Sequence, residues 1–325
     1  MFLANRLSDH AHVRVWSEYD IPPYFSKLLG AVKIRPQILR FPMRGVFVFV
    51  GTYFWVGNWL RLARPERIVV ISNTPDLGGQ ALKARFARHH LRCPVTVGYA
   101  SPAMATLSGL PGKVLFSPID FDNLAKPRAR VKGAPFVIGR LSRDVLEKHH
   151  PDDVALYQKL ADLGFRVRIM GGMCLKNVLG DIGNIELLPC GTEPVADFLA
   201  TLDCFYYRTA PTWVEAHGRV ITEAMAAGLP IIAGSSGGYA GYLIRQAETG
   251  ILIDSNEQAM HWLLRFRAGD EIAQRRKLSG CVVLRARAVR SRSAEYAGVK
   301  LKKNFFAATT LRNLGAGRGH QYSAR

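Results

Sequence analysis

The sequence predicts an α/β protein made of two doubly wound domains that face each other, each with a parallel sheet covered by helices. Apolar runs of strand length alternate with longer amphipathic segments along most of the chain, which is typical of that fold class. A stretch rich in charge, Pro and Gly at 119–135 divides these runs into two series. At 325 residues, with 48% hydrophobic residues, the chain is long enough to bury two separate cores.

The first series of strand-length runs predicts an N-terminal domain over residues 1–133. Its members are VRVW (13–16), VFVFV (46–50), RIVVIS (67–72), VTVGY (95–99) and KVLFSP (113–118). The chain opens with a helix-like stretch that leads directly into what would be the second strand of a doubly wound sheet. We therefore expect this domain to lack its first strand, unless the sequence starts too far downstream.

The second series predicts another domain over residues 134–280. Its members are PFVIGR (135–140), RVRIMGG (166–172), IELLP (185–189), CFYYR (204–208), PIIAG (230–234) and GILID (250–254). The remaining residues, 281–325, form a basic segment. It either crosses back to the N-terminal domain or is partly disordered.

The formal charge of +19 is concentrated at the two ends of the chain. Residues 1–133 carry +12, residues 134–280 carry −2 and residues 281–325 carry +9. Such a field attracts anions without specifying which one. The basic residues form no nucleic-acid-binding motif, so the pattern favours an anionic membrane face, to which each nearby Lys or Arg adds about 1 kcal/mol, or a simple charged surface.

Nothing in the sequence indicates a leader, a membrane span or a disulfide framework. The longest apolar run, residues 46–60, has 15 residues, short of the roughly 20 that a span needs, so we interpret it as core. The five cysteines are odd in number and match no metal-ligand spacing, which favours a reducing compartment. We expect a cytoplasmic protein, with membrane association at most peripheral.

Two glutamates stand eight positions apart in TWVEAHGRVITEAMAAGLP. The apolar spacing predicts a helix that begins near Gly218 and ends before Gly228 and Pro230. Within a single helix the two carboxylates would be about 12 Å apart and offset by about 80°, too far to act as a pair. With Glu215 in the loop and Glu223 in the helix, they could instead hold hydroxyls at two ends of a ligand, or serve only as a solvated residue and a helix-start residue.

Phosphate-binding features lie on both sides of these glutamates. Gly237 and Gly238 follow the strand PIIAG and precede a helix-like segment, so backbone N–H groups could hold a phosphate there. Arg140 follows an earlier strand, and Lys148 lies in the loop before the next helix; fixed cations there could neutralise a diphosphate without a metal. An ordinary βα turn and solvated cations remain the alternative interpretation.

Together these motifs resemble the retaining, GT-B-fold glycosyltransferases of family 4 (glycosyl transferases group 1), whose signature is Glu, seven residues, Glu. The resemblance covers roughly residues 134–255. It implies two Rossmann-like domains and a nucleotide-diphosphate sugar held mainly by the second. It also implies that Glu223 binds the ribose hydroxyls, Glu215 the donor sugar, and Arg140 with Lys148 the diphosphate.

Further donor-binding positions follow from the same resemblance. Gly218, Gly237 and Gly238 would offer backbone, and LPCG, with Cys190 and Gly191, would border the nucleotide base. The sequence departs from the family pattern at Ala216, His217 and Gly241. The interval between Arg140 and Lys148 is also wider than usual, so Arg143 competes for the arginine role.

The resemblance implies hexosyl transfer to a glycan or lipid-linked acceptor with retention of configuration, without a cofactor or metal. DFD (120–122) looks like a metal-binding motif but lies in the linker, and HHPDD (149–153) reads as a helix start. His217 either polarises a hydroxyl or packs at the helix entry. The alternatives are a nucleotide-sugar 2-epimerase of the same fold and a non-catalytic relative that binds an anionic partner.

Overall fold

The chain folds into two compact units. The structure, a computed structural model, describes residues 7–8, 11–21, 30–51, 58–74, 93–115, 119–124, 133–236, 244, 250–269 and 304–309. Unit 1 consists of residues 1–99, 108–114 and 301–325, and unit 2 of residues 100–107 and 115–300. Within the described part of the chain, no helix has both the length and the apolar character needed to cross a bilayer.

Unit 1 is built on a seven-stranded parallel sheet. Its strands are β1 (His12–Ser17), β2 (Val32–Lys33), β3 (Val46–Val50), β4 (Arg67–Ser72), β5 (Val95–Tyr99), β6 (Lys113–Val114) and β13 (Asn304–Thr309). Their spatial order is β2-β1-β13-β3-β4-β5-β6. The strand from the far end of the chain therefore lies in the interior of the sheet.

β13 corrects the expectation that this domain lacks its first strand. In a doubly wound sheet the first strand lies where the strand order reverses, next to both the second and the fourth. Here β13 holds that position, pairing Phe305 with Val13 of β1 on one side and with Val46 of β3 on the other. Residues 304–309 of the last predicted segment thus lie in the unit 1 sheet as a strand.

The described apolar residues of the run predicted as core, in residues 46–51 and 59–60, are buried or nearly buried in unit 1. Phe47 and Phe49 of β3 are each 2% exposed. Trp59, at the start of α1 (Trp59–Ala63), stacks on Phe47 with ring centroids 6.5 Å apart and contacts Phe41 at 5.9 Å. The interpretation of residues 46–50 as a buried strand is confirmed.

Unit 2 contains a six-stranded parallel sheet with the order β12-β11-β10-β7-β8-β9. Its strands are β7 (Val137–Leu141), β8 (Arg166–Met170), β9 (Ile185–Leu188), β10 (Cys204–Tyr207), β11 (Ile231–Gly234) and β12 (Ile251–Ile253). Each overlaps a run predicted from the sequence. Buried parallel strands read as continuous apolar runs, which is why the pattern was visible.

The remaining helices flank these strands in chain order. They are α2 (Pro102–Ser108), α3 (Phe121–Leu124), α4 (Asp153–Asp162), α5 (Lys176–Leu179), α6 (Val195–Ala200), α7 (Arg219–Ala226) and α8 (Asn256–Arg267). Short 3-10 turns occur at Pro36–Ile38, Leu146–Lys148 and Met173–Leu175. Helix α7 ends before Gly228 (φ +73°) and Pro230, as the sequence predicts.

Helices cover both faces of the unit 2 sheet, as doubly wound folds require. Alternate residues of β10 point to opposite faces: Cys204 and Tyr206 join the core beneath α4 and α8, whereas Phe205 and Tyr207 join the core beneath α6 and α7. This alternation determines which face each polar side chain near the strand ends belongs to.

Candidate functional site

The candidate site lies where the strand order of the unit 2 sheet reverses. The chain builds β7, β8 and β9 in one direction and then returns to place β10 against β7. In open α/β sheets, ligands bind outside the carboxyl ends of the strands at this reversal. Two loops leave the sheet here, residues 142–152 after β7 and residues 208–218 after β10.

Lys148 and Glu215 bring these two loops together. Lys148 ends the 3-10 turn in the first loop, and its Nζ forms an ion pair with Glu215 Oε2 in the second. The same carboxylate oxygen accepts hydrogen bonds from Tyr207 Oη at 2.8 Å and from Trp213 Nε1 at 3.4 Å. Lys148 Nζ also donates to Tyr207 Oη at 3.2 Å. We call these four residues the Lys148–Glu215 cluster.

The cluster keeps Glu215 ionised although the side chain is only 16% exposed. Burial alone would raise the pKa of Glu215. The charge of Lys148 and the hydrogen bonds from Lys148, Tyr207 and Trp213 outweigh burial and lower this pKa below its usual value. A fixed negative charge therefore lies next to a largely buried lysine.

Arg143 adds a second cation to the same place. It is exposed, and its guanidinium carbon lies 5.2 Å from the ring centroid of Trp213. Lys148 Nζ lies 4.4 Å from that ring centroid. Trp213 thus holds two cations by cation–π contacts, which desolvation strengthens.

Arg140 lies below the site rather than at its surface. Ile138 and Arg140 point to the same sheet face because side chains alternate along a strand, so Arg140 is covered by α4 and is 1% exposed. Its Nη1 donates to the carbonyl of Arg208 at 2.7 Å, and its Nη2 donates to the carbonyl of Lys148. Arg140 therefore ties the loop after β7 to the loop after β10.

A buried carboxylate accompanies Arg140 on this face. Asp153 is 1% exposed and accepts hydrogen bonds from Tyr206 Oη at 2.8 Å and from Arg208 Nη1 at 3.2 Å. Burial raises the pKa of Asp153 to about 6, against the nearby positive charges of Arg140 and Arg208. Arg208 continues to Asn256 Oδ1 at 2.8 Å and so links the starts of α4 and α8.

Glu223 lies in helix α7, while Glu215 lies in the loop before it. The side chain of Glu223 is 12% exposed and pairs with Arg219 Nε at 2.8 Å, one helical turn earlier. Burial raises the pKa of Glu223. Gly218 is the N-cap, directly before the first helical residue Arg219, and is in the left-handed region with φ +68°. Glu215 therefore lies in the loop and Glu223 in the helix, so the two glutamates do not belong to a single helix.

His217 is packed at the helix entry and is 6% exposed. Its Nε2 lies 3.5 Å from Thr222 Oγ1. Burial lowers the pKa of His217 to about 4, although the nearby Glu215 opposes the shift. The imidazole is therefore neutral at physiological pH.

Other predicted positions lie around this edge or outside the described residues. Cys190 is exposed and precedes Gly191, which has φ +78° in the turn after β9. Gly237 and Gly238 lie outside the described residues. Asp122 of DFD lies within helix α3. Among the described residues, no group of three His, Cys, Asp or Glu side chains is arranged to hold a metal ion.

Two members of the cluster, Tyr207 and Trp213, were not predicted from the sequence. Tyr207 ends strand β10, and Trp213 stands two residues before Glu215. An aromatic residue at the carboxyl end of a strand next to a signature glutamate is the signal that could have identified them. Which loop they would meet depends on the strand order, and that is not readable from local sequence.

Residues 185–277 match the family model described as Glycosyl transferases group 1. No curated protein sequence gives a significant match. Among solved structures, HepE of Anabaena in complex with UDP superposes with a TM-score of 0.61 at 14% identity, over 87% of this chain and 100% of that chain. HepE in complex with UDP-glucose gives 0.57 at 15% identity, over 74% of each chain.

Two further solved structures resemble the chain over most of their length. WaaG, a glycosyltransferase involved in lipopolysaccharide biosynthesis, gives a TM-score of 0.57 at 14% identity, over 90% of this chain and 94% of that chain. Sucrose-phosphate synthase of Thermosynechococcus elongatus gives 0.56 at 16% identity, over 85% and 76%. With both parallel sheets described, these similarities show that the chain has the GT-B fold.

Proposed function

We propose that the protein is a glycosyltransferase that moves a hexose-type sugar from a nucleotide-diphosphate donor to a glycan or lipid-linked acceptor, with retention of configuration. The observation that carries this proposal is the Lys148–Glu215 cluster with Arg143 beside it. Two cations and one carboxylate meet at the carboxyl edge of the sheet, in the unit that contains the family match. A diphosphate sugar needs both kinds of group, cations for its phosphates and acceptors for its hydroxyls.

In this proposal Arg143 and Lys148 hold the diphosphate. An ammonium group has three donors, so Lys148 can bind a phosphate oxygen while it keeps its contact with Glu215. The exposed guanidinium of Arg143 is free to turn from the Trp213 ring toward the second phosphate. Arg140 acts as a positioning residue, because it fixes the two loops that carry these groups.

The remaining contacts go to the rest of the donor. Glu215 accepts hydroxyls of the transferred sugar, and Glu223 accepts the ribose hydroxyls after releasing Arg219. Gly218, Gly237 and Gly238 offer backbone to the phosphates, while Cys190 and Gly191 border the base. HepE has been solved with UDP and with UDP-glucose, so uridine donors are the first to test.

The reaction gains from charge that develops on the leaving diphosphate. As the bond between the sugar and the phosphate breaks, negative charge accumulates on the phosphate oxygens. Cations that are already fixed beside those oxygens stabilise this charge more than they stabilise the bound donor. We propose that this suffices without a metal or cofactor, and that the enzyme works at the cytoplasmic face of a membrane.

The test measures nucleoside diphosphate release from a panel of nucleotide sugars, with and without a membrane extract as the acceptor source. We expect release that depends on the extract and that falls at least a hundredfold in Lys148→Met, since a charged hydrogen bond at the leaving group is lost. Lys159→Met, in the exposed part of α4, is the matched control and should keep full activity.

The other outcomes separate the alternatives. Interconversion of donor sugars without extract would point to an epimerase. No release together with no nucleotide binding would leave a non-catalytic relative. Release that survives Lys148→Met unchanged would contradict the role proposed for the cluster.

A further inference from the structure

Unit 1 exposes large apolar side chains next to arginines on two segments, residues 35–44 and 58–64. The apolar residues and their exposed fractions are Ile38 (63%), Leu39 (76%), Met43 (49%) and Leu62 (58%). The exposed arginines on the same segments are Arg35, Arg40, Arg44, Arg61 and Arg64. We call these nine residues the apolar–arginine face.

The two segments are held side by side by the backbone. The N–H of Arg44 donates to the carbonyl of Ala63 at 2.7 Å, which places Met43 and Arg44 next to Leu62 and Arg64. Ala63 itself is completely buried, so the contact is anchored in the core of unit 1. The exposed side chains on both segments are therefore mounted on fixed backbone.

Ile38 and Leu39 form the most exposed part of the face. The backbone groups of Arg35 and Arg40 bond to each other in both directions, at 2.7 and 3.0 Å, and close a tight turn around Ile38 and Leu39. Leu39 has φ +56°, a left-handed conformation that leucine rarely adopts. Phe41, two residues after Leu39, is buried against Trp59 in the core of unit 1. The turn therefore leaves Ile38 and Leu39 exposed although the next residues of the chain enter that core.

Unusual backbone is concentrated on this face. Among the described residues, the non-glycine positions with positive φ are Leu39, Arg44 and Arg64, and all three belong to the face. Leu39 follows the 3-10 turn Pro36–Ile38 and Arg64 follows helix α1, and a left-handed residue commonly ends such an element. The chain thus changes direction at fixed backbone positions within the face.

The composition of the face matches one kind of partner. The nine residues of the face include five arginines and no acidic residue; the nearby Asp20 pairs with Lys33 and is also attracted by Arg35. Guanidinium groups bind phosphates in a paired geometry, and aliphatic side chains between them can enter the acyl boundary below the headgroups. A nucleic acid would use the arginines but would leave Ile38, Leu39 and Leu62 in water. An anionic bilayer uses both kinds of group.

We propose that the apolar–arginine face docks unit 1 on membranes that contain anionic phospholipids, with Ile38 and Leu39 inserted between headgroups and the arginines bound to lipid phosphates. This goes beyond the transfer reaction. It does not depend on that reaction, because docking needs no donor.

The experiment is co-sedimentation of the full chain with vesicles of phosphatidylcholine, alone or mixed with phosphatidylglycerol, in the absence of any nucleotide sugar. Wild-type protein should bind the mixed vesicles, and binding should weaken as salt screens the arginines. Ile38→Ser with Leu39→Ser should reduce the affinity on the order of tenfold or more, since two inserted aliphatic side chains are lost. Arg35→Gln with Arg40→Gln should remove most of the preference for the anionic lipid.

Matched controls come from unit 2. Val178 is 55% exposed and Lys176 is exposed nearby, so Val178→Ser and Lys176→Gln remove the same kinds of group from another surface. Both should bind vesicles like wild type. A second measurement uses Leu39→Trp, whose added tryptophan fluorescence should be quenched by brominated lipid.

Three results would overturn the inference. They are equal binding of wild type and the Ile38/Leu39 variant, absence of quenching in Leu39→Trp, and preference for DNA or RNA over anionic vesicles. Vesicle binding without glycosyl transfer would contradict the proposed function alone. Transfer without vesicle binding would contradict this inference and the membrane site of action proposed above, but not the transfer reaction.

Discussion

Arg140 and Arg143 lie three residues apart, yet the structure gives them opposite environments. Arg140 alternates with Leu141 along β7 and falls on the face beneath α4, where backbone carbonyls occupy its guanidinium. Arg143 lies past the end of the strand and remains exposed above Trp213. The two arginines thus differ because Arg140 lies within the strand, on its buried face, whereas Arg143, for which we propose contact with a ligand, lies beyond the end of the strand.

Substitution of these two arginines should separate binding from stability. Arg143→Gln should lower kcat/KM for the donor by about tenfold to a hundredfold, because a charged hydrogen bond to phosphate is lost, and should change stability by less than about 0.5 kcal/mol. Arg140→Gln should lower the free energy of unfolding by about 3 kcal/mol or more, since it breaks a buried charged network. Urea titration measures the free energy of unfolding, and donor kinetics measure kcat/KM. A large loss of stability in Arg143→Gln, together with an unchanged stability in Arg140→Gln, would contradict these roles.

The buried His217 predicts a pH dependence of stability. Its folded pKa, about 4, lies below the unfolded value near 6.5, so the unfolded chain binds a proton between these limits and the native protein does not. The free energy of unfolding should therefore fall as the pH drops from 6.5 to 4, by up to about 3 kcal/mol from this residue.

Comparison of variants isolates His217 from the other groups. His149 also makes the protein less stable as the pH falls, since burial lowers its pKa to about 3. Asp153 has the opposite effect on stability, because burial raises its pKa to about 6. His217→Asn should lose less stability than wild type on going from pH 7 to 4.5. The exposed His261→Asn should follow wild type; a His217→Asn curve parallel to wild type would rule out this assignment.

At the scale of elements, close approach of two loops shapes the edge of the site. Gly171, directly after β8, has φ +82°, and a Cβ there would lie 2.1 Å from the carbonyl oxygen of Ser142 in the loop after β7. His149 Nε2, in the same loop, lies 3.0 Å from the carbonyl oxygen of Gly171. The loop that carries Arg143 and Lys148 is therefore packed against a position that admits only glycine.

Gly171→Ala should destabilise unit 2 by more than the conformational cost alone. Gly164, at the end of α4, is the matched control, because it has φ +79° with no atom near a Cβ placed there. Gly164→Ala should cost about 1–2 kcal/mol for the positive φ, and Gly171→Ala should cost clearly more and weaken donor binding as well. Equal losses in thermal unfolding would mean that the approach to Ser142 is not restrictive.

Sequence reasoning predicted the central strands well and the long-range arrangement poorly. Val46–Val50, Arg67–Ser72 and Val95–Tyr99 have the predicted bounds, because buried parallel strands are uninterrupted apolar runs. Val32–Lys33 was missed because two residues carry no periodicity. Asn304–Thr309 was missed because its partners lie more than 250 residues away and its surroundings are strongly basic.

The candidate site shows the same contrast between local features, which were predicted, and long-range contacts, which were not. Lys148, Glu215 and Glu223 were predicted as candidates from residue type and motif spacing. The meeting of Lys148 with Glu215, 67 residues apart, is set by the pairing of β7 with β10. The burial of Arg140 depends on which face of the sheet it occupies, and an isolated charged residue after an apolar run does not reveal that.

At the scale of the whole molecule, β13 makes unit 1 depend on the far end of the chain. Deletion of residues 301–325 would leave β1 and β3 without their shared neighbour, because β13 bonds to both. We expect this truncated chain to lose amide protection in β1, β3 and β4 while β7, β10 and β11 of unit 2 stay protected. Hydrogen exchange read by mass spectrometry measures each strand separately.

Two further chains serve as controls for this deletion. A chain that ends at Thr309 keeps β13 and should retain protection in both units. A permuted chain, with residues 301–325 joined by a flexible linker ahead of residue 1, should restore protection in unit 1. Protection of β1 and β3 in the chain that ends at Lys300 would show that β13 is dispensable.

The position of β13 also sets an order of events during synthesis. β3 leaves the ribosome about 250 residues before the strand that will lie beside it. At ~5–20 residues per second, the nascent chain carries two unsatisfied strand edges for about 10 to 50 s. Such edges recruit strands from neighbouring polypeptides. Production of this protein should therefore benefit from holdase chaperones or slow expression at low temperature, and a bulky fusion at the carboxyl terminus should delay the last step of assembly.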